Sequence, residues 1–320
     1  MTNHQSQITN HNPPIPIKTI FHRLGQGLII LLCLITLTFF LVRMMPGDPL
    51  TDEKSLPQHT IEKNRAYYRL DQPVPIQYLH YLKNLSRGDF GESMSKVGRP
   101  VIDIIRHSFP VSLTLGVSAM AIALGIGIPA GILSALKKNS LLDYGTMAAA
   151  MFGISIPSFV IGPLLAIGIA SHSNTLKVAG WGDPFDWLLP AITLGLATAA
   201  YIARITRGGM LEVINQDYIR TARAKGLSPT RIVIKHALRG GIIPAVAYVG
   251  PAFAMLISGS FIVETIFQVP GLGQHFINAT TARDYNLLQG VVLLFGILIV
   301  LANLAADLAL VALNPRLRNS

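Results

Sequence analysis

Residues Tyr218 to Pro229 read Tyr-Ile-Arg-Thr-Ala-Arg-Ala-Lys-Gly-Leu-Ser-Pro, basic side chains on a short helix that runs into a glycine and a fresh helix start. The chemistry open to them is docking. Arg223 and Lys225 can pair with acidic groups, and small residues such as Ala222 and Ala224 let a helix approach a partner's groove closely. Asn215 or Asp217 is placed to cap the first helix, and Gly226 to take the left-handed conformation just past its end. Ser228 followed by Pro229 is an N-cap and first-turn signature, so a second helix is expected from Pro229 toward Leu238. A positive anchor at a membrane surface is the plainer reading of the same charges. A DNA-reading helix-turn-helix has roughly the spacing of Ala222, Gly226 and Ile232, but tethering between two apolar segments disfavours it.

Catalytic chemistry finds little support. No G-x-x-x-x-G-K-S/T sequence and no Gly-Lys pair occurs, so the chain lacks a phosphate-cradling loop of that kind. H-E-x-x-H is also missing, and none of the nine histidines falls inside a long apolar run, which disfavours an intramembrane protease. Cys33 is the only cysteine, so an intramolecular disulfide and a cysteine-based metal site are excluded. Asp89-Phe90-Gly91 spells the magnesium-binding triad of protein kinases without any of its companion motifs. No catalytic residue and no metal ligand is expected. Ser155, Ser158, Ser258 and Ser260 can line a polar path, although a hydroxyl that bonds its own helix looks the same in sequence. Pro270 and Gly271, in the connection Glu264 to Gly273, are expected to help form an outer gate, with a tight loop as the plainer alternative.

The elements that must position these residues are apolar. Six runs are long enough to span hydrocarbon, which takes roughly 20 predominantly apolar residues: Leu24 to Val42, Phe109 to Leu136, Tyr144 to Ala170, Trp187 to Ala203, Ile242 to Val263 and Leu287 to Leu313. Asp307 is the one charged residue in them, and its place near the inner end of the last run predicts a structural contact at the inner surface. The expected fold is an all-α polytopic membrane protein with six transmembrane helices. The net charge of +10 invites nucleic acid as a partner. Its distribution argues for a lipid bilayer instead: with the N-terminus inside, the inner connections and tails collect Lys137, Lys138, Arg204, Arg207 and the basic residues from Arg220 to Arg239. The short outer connections hold only Lys177 and Arg283 beside four acidic residues, Asp183, Asp186, Glu264 and Asp284. This is the positive-inside asymmetry, and it puts both termini in the cytoplasm.

The organisation follows. Residues 1–23 form a cytoplasmic tail, 24–45 the first transmembrane helix, 46–108 an extracytoplasmic insertion, 109–313 a five-helix core with the basic connection at 204–239, and 314–320 a second tail. Within the insertion, Glu62 to Leu70 and the repeat Ile76, Leu79, Leu82, Leu85 read as helices, and Val101 to Ile105 as the start of another ahead of Pro110. Too small to bury much core alone, the insertion is expected to pack on the outer ends of the membrane helices.

The segment Thr221-Ala222-Arg223-Ala224-Lys225-Gly226-Leu227 resembles the cytoplasmic loop of ABC importer permeases, in the subtype of the dipeptide, oligopeptide and nickel group. Other stretches agree in order along the chain: Pro46-Gly47-Asp48-Pro49, Gly88-Asp89-Phe90-Gly91, Ser155-Ile156-Pro157-Ser158-Phe159, Pro270-Gly271-Leu272-Gly273, Arg283-Asp284-Tyr285 and Asn314-Pro315-Arg316. The likeness is greatest to oligopeptide permeases. Two departures stand out: Arg220 and Thr221 occupy the place of an acidic residue in many importers, and Asn314 stands where the group more often has Asp.

The resemblance implies a type I importer permease in a bacterial inner membrane. It implies a homologous second permease completing the path, two ATPase subunits that bind ATP and magnesium, and an extracytoplasmic peptide-binding protein. No cofactor is implied in this chain. Thr221 to Leu227 would be the ATPase-coupling residues, with dipeptide, nickel chelate or glutathione as alternative cargo. An ion-coupled carrier is disfavoured because no carboxylate or basic group lies near mid-membrane. A passive anchor would not need Pro129, Pro157, Pro163 and Pro251 within spans.

Overall fold

In hydrocarbon each backbone N–H and C=O must be satisfied within its own segment, so uncharged apolar runs become helices. The computed structural model describes residues 17–47, 49–50, 58–173, 175–258 and 260–313, and among these the only extended pairing is an isolated bridge between Glu92 and Pro100. The tail before residue 17, Asp48 and Asn314-Pro315-Arg316 lie outside the described residues. From the N-terminus, α1 (Ile17–Met44) is followed by α2 (Gln58–Tyr67), α3 (Val74–Leu85), α4 (Val101–Leu136), α5 (Leu141–Ser155) and α6 (Ser158–Gly168). Next, α7 (Leu188–Ile214) leads into α8 (Asp217–Ala224), α9 (Pro229–Arg231), a π-helical turn at Ile232–Ala237 and α10 (Leu238–Gly241). The described chain ends with α11 (Ile243–Ser258), α12 (Ser260–Ile266), α13 (Leu272–Thr281) and α14 (Tyr285–Leu313).

Four helices, α1, α4, α7 and α14, are long and apolar enough to cross a membrane unbroken. Two further spans are bent pairs, giving the six of an all-α polytopic membrane protein. The run Tyr144 to Ala170, expected as one helix, breaks between α5 and α6 with a bend of 105°. Proline is the cause: the residue before it avoids the helical region, and Ile156 is extended (φ −87°, ψ 120°) ahead of Pro157. A 49° bend separates Pro229–Gly241 from Ile243–Ser258. The run Ile242 to Val263 is helical on both sides of residue 259, which lies outside the described residues, as α11 and α12.

Other prolines are absorbed. Pro110 and Pro129 both lie inside α4, so the expected start at Val101 and the apolar run from Phe109 merge into one helix of 36 residues. At 1.5 Å per residue it is about 54 Å long, well beyond a hydrocarbon core of about 30 Å. Helix α7 likewise continues past Ala203 to Ile214, taking the first third of the expected connection with it.

Packing centres on α4 against α7, where a Cβ on Gly127 would lie 2.6 Å from the Ala199 carbonyl oxygen and one on Gly195 2.7 Å from that of Ala119. Only glycine permits that backbone approach. Helices α1 and α14 are joined by Arg23 and Asp307, 3.3 Å apart, the structural contact expected of Asp307. The insertion docks on the bundle rather than folding around its own core. The Tyr78 and Thr36 hydroxyls are 2.7 Å apart, Arg43 Nε donates to Gln77 Oε1 at 2.9 Å, and Met94 and Val101 are buried with Leu272, Leu287 and Val291.

Candidate functional site

The basic bend is held by its apolar side. Ile219 and Ala222 of α8 are 0% and 6% exposed, packed in one cluster with Ala135, Met210, Val213, Ile232 and Ala237. Arg220, Thr221, Arg223, Ala224, Lys225 and Gly226 are exposed on the opposite side. Gly226 has φ +75°, the left-handed conformation that ends a helix, and its N–H donates to the Arg223 carbonyl at 2.9 Å. A Cβ there would meet open space. Leu227 turns back and, with Arg223, Pro229 and Ile232, borders a cavity of about 220 Å³.

Two cap assignments are corrected. Asn215 keeps the helical conformation (φ −90°, ψ −1°) and donates from Nδ2 to the Leu211 carbonyl, so it closes α7 and cannot open α8. Asp217 is already the first helical residue. The extended residue that a cap requires is Gln216, whose side chain makes no capping bond. Pro229 opens α9 behind an extended Ser228 as expected, but the path to Leu238 then runs through the π-helical turn.

The same end of the bundle carries a charge cluster. Arg207 Nε and Nη2 donate to the two oxygens of Asp143 at 2.6 and 2.7 Å, a bidentate pair with an Asp143 side chain only 2% exposed. Ser134 donates to the same carboxylate, as does the Asn139 N–H at 2.9 Å. Helices α4, α5 and α7 are thereby fastened together where α7 approaches α8.

At the other end, Glu264 is fully buried. Its Oε1 lies 2.7 Å from the Ser112 hydroxyl and 2.8 Å from that of Ser260; its Oε2 accepts the N–H of Gly273 at 2.8 Å and of Gln274 at 3.3 Å. The Leu272 N–H donates to Ser112 Oγ at 2.8 Å. A carboxylate from the end of α12 thus caps α13, where the helix dipole favours negative charge. Gly271 is part of the device, because a Cβ there would fall on the Glu264 carboxylate.

Asp284 makes a second clamp beside it, also fully buried. Its Oδ2 accepts from the Ser93 hydroxyl and from the N–H and hydroxyl of Ser95 at 3.0 and 2.9 Å; its Oδ1 accepts the Leu287 N–H at 3.0 Å. The insertion is therefore tied to the first turn of α14. Asp284→Ala is expected to cost about 3 kcal/mol, because several buried donors lose their acceptor at once. The check is a lowered melting midpoint in detergent together with faster proteolysis of the insertion.

His275 on α13 is pushed down to about 4, first by burial and then by Lys96. An unfolded histidine titrates near 6.5, so between pH 6.5 and 4 the unfolded chain holds more protons than the folded one. Stability is fully present above pH 6.5 and falls as pH drops through that window, by less than the full shift would give because solvent screens a ring that is only partly buried. Melting midpoints at pH 7 and pH 5 test this, and His275→Phe should flatten the difference.

Residues 127–319 match the family described as binding-protein-dependent transport system inner membrane component, and residues 17–116 match its N-terminal membrane component. The chain belongs to that family. The oligopeptide transport system permease protein OppB of Haemophilus influenzae is 43% identical over 304 residues, 94% of this chain and 99% of the relative. The dipeptide transport system permease protein DppB of Bacillus subtilis is 40% identical over 289 residues, 90% of this chain and 94% of the relative. A solved structure of the MetNI methionine ABC transporter, in an inward-facing conformation, shares the fold with a TM-score of 0.56 and 21% identity over 66% of this chain and 96% of that one. The chain is thus a multi-pass inner membrane protein.

Within the family's frame, the expected site residues fall into two groups. Thr221 and Arg223 to Gly226 form one exposed surface, whereas Ala222 points into the chain's own core and Leu227 is half-buried. Ser155 and Ser258 are exposed, each hydroxyl 2.8 Å from a carbonyl of its own helix, at Met151 and Ala254. Ser158 is partly exposed at the start of α6. Ser260 is buried, its hydroxyl against the Ile257 carbonyl and Glu264 Oε1. Pro270 is exposed and Gly271 buried. Sequence reasoning passed over Glu264, Asp284 and the Asp143–Arg207 pair as ordinary loop charges. Their sole sequence signal is an acidic residue next to an apolar run, which surface anchors share.

Proposed function

We propose that the chain is the permease subunit of an ATP-driven importer of oligopeptides, supplying half of the translocation path. The observation that carries this reading is likeness to oligopeptide permeases along 94% of the chain, with the basic bend exposed within it. A second permease completes the path. Phe152, Phe159, Leu164 and Met255 lie 55–70% exposed around Ser155, Ser158 and Ser258 in sequence, a surface that a homologous subunit would cover. Two ATPase subunits bind ATP and magnesium and grip the bend, with Arg223 and Lys225 facing acidic groups. The buried face of α8 and the Asp143–Arg207 pair then pass the movement into α7, α4 and α5, rocking the bundle between outward-open and inward-open states. An extracytoplasmic peptide-binding protein delivers cargo at the end that carries the insertion. Both termini lie in the cytoplasm, and no cofactor resides in this chain. A dipeptide importer is the second reading, favoured by the 40% identity to DppB of Bacillus subtilis.

The test is ATP hydrolysis by the assembled complex in proteoliposomes with its binding protein. Stimulation by tripeptides and longer peptides is expected. Stimulation by dipeptides alone would move the cargo to the second reading, and uptake by this chain without nucleotide would overturn the importer.

A further inference from the structure

Beneath the insertion lies a cavity of about 380 Å³, within the size range of small-ligand sites. Helices α1 and α14 contribute Arg43 and Gln289 to it, the insertion contributes Tyr81, Asp89 and Glu92. One of its donors lacks an acceptor. Gln289 is 2% exposed, and its Nε2 has no hydrogen-bond partner among the described residues. Arg43 stacks on Phe39 with its guanidinium carbon 3.5 Å from the ring centroid, and it donates from Nε to Gln77 and from Nη1 to the Phe39 carbonyl. Among the described residues no carboxylate pairs with it, and Nη2 remains unused. A buried amide with an unused donor, beside a guanidinium whose charge no described carboxylate balances, is costly unless something anionic joins them.

The occupant's other end can be read from the insertion. Asp89 and Glu92 carry negative charge on the same cavity, and Asp89 Oδ1 already accepts only the Gly91 N–H at 2.8 Å. Burial pushes the Tyr81 hydroxyl up to about 12, so it stays a neutral donor. A lipid phosphate or an acidic side chain of a docked protein would satisfy Arg43 and Gln289 but leave the carboxylates facing an anion. A small molecule that carries both charges satisfies both sets.

We propose that this cavity is a second, outer site for a short zwitterionic peptide, its terminal carboxylate on Arg43 and Gln289 and its ammonium toward Asp89 and Glu92. The inference rests on the peptide reading for the class of occupant and goes beyond it in placing a site away from the membrane path.

The experiment is equilibrium binding of radiolabelled Ala-Ala to the assembled complex in nanodiscs, without binding protein or nucleotide. Gln289→Met keeps length and volume while removing both donors. About tenfold weaker binding is expected for this variant, the worth of one charge-assisted hydrogen bond, and a similar loss for amidated Ala-Ala on the wild type. Arg43→Gln should act in the same direction, and an unchanged melting midpoint in Gln289→Met separates lost binding from lost folding. Wild-type affinity in Gln289→Met, equal binding of the amidated and free peptides, or a copurifying phospholipid that only the wild type retains would each overturn the proposal. Failure of the peptide reading is seen separately, as absent peptide stimulation of the wild-type complex's ATPase.

Discussion

Replacing Gly226 by Trp is expected to reduce nucleotide-driven peptide uptake to background while the chain still inserts, assembles and melts near the wild-type temperature. The reason is geometric. Gly226 has φ +75° and nothing within 4 Å of the position of a Cβ, so the fold itself does not exclude a large side chain. The left-handed conformation costs a non-glycine residue roughly 1–2 kcal/mol, too little to unfold a domain stable by about 5–15 kcal/mol. What changes is the outer surface: an indole would stand beside Arg223 and Lys225, on the face assigned to the ATPase. Gly226→Ala separates the two effects, since it carries the same strain with almost no bulk. Its uptake should stay close to wild type. Transport by the Trp variant at wild-type rate would remove the bend from the coupling contact, and an Ala variant as dead as Trp would replace steric blockage with strain.

Glu264→Ala is expected to lower stability by about 3–5 kcal/mol, the largest loss of any single substitution considered. The buried carboxylate lies within bonding distance of two hydroxyls and two backbone N–H groups. Truncation strands the donors of Gly273 and Gln274 and opens a cavity where Gly271 packs. Glu264→Gln should cost less, because the amide oxygen can still accept the Gly273 and Gln274 N–H groups while the amide nitrogen faces the Ser112 and Ser260 hydroxyls, which can accept. Melting midpoints in detergent rank the three proteins, and equal midpoints for wild type and Glu264→Ala would show that the clamp adds no stability. The same geometry selects the probe for the outer gate. A cysteine at 271 would displace the clamp it reports on, whereas Pro270→Cys is exposed and leaves it in place. Cross-linking at 270 that changes during turnover is the result expected of a gate; constant reactivity in every state makes it a static loop.

Patterning carried much of this protein. Uncharged runs of membrane length announced the spans, because lipid permits only segments that satisfy their own backbone. The glycine after Lys225 announced the left-handed turn, because little else tolerates that conformation. Both are local rules, legible from a dozen residues at a time. Pro157 shows where local reading stops: the same residue type that breaks the third span by 105° is swallowed at positions 110 and 129 of α4, where the helix continues. Whether a freed carbonyl finds a partner depends on what packs beside it.

Charges show the limit more sharply. Glu264, Asp284 and Asp143 sit at the edges of apolar runs, as do solvated anchors elsewhere in the chain, and their burial is decided by partners 152 to 191 residues away for Ser112 and Ser93, and 64 away for Arg207. Sequence alone determined that this chain is a helical membrane protein with an exposed basic turn, since hydropathy and backbone conformation are properties of short segments. Only the tertiary structure decided which face of that turn is free, which serines are spent inside the fold and which carboxylates lock its ends, since burial and hydrogen-bond partnership exist only between segments brought together from distant parts of the chain.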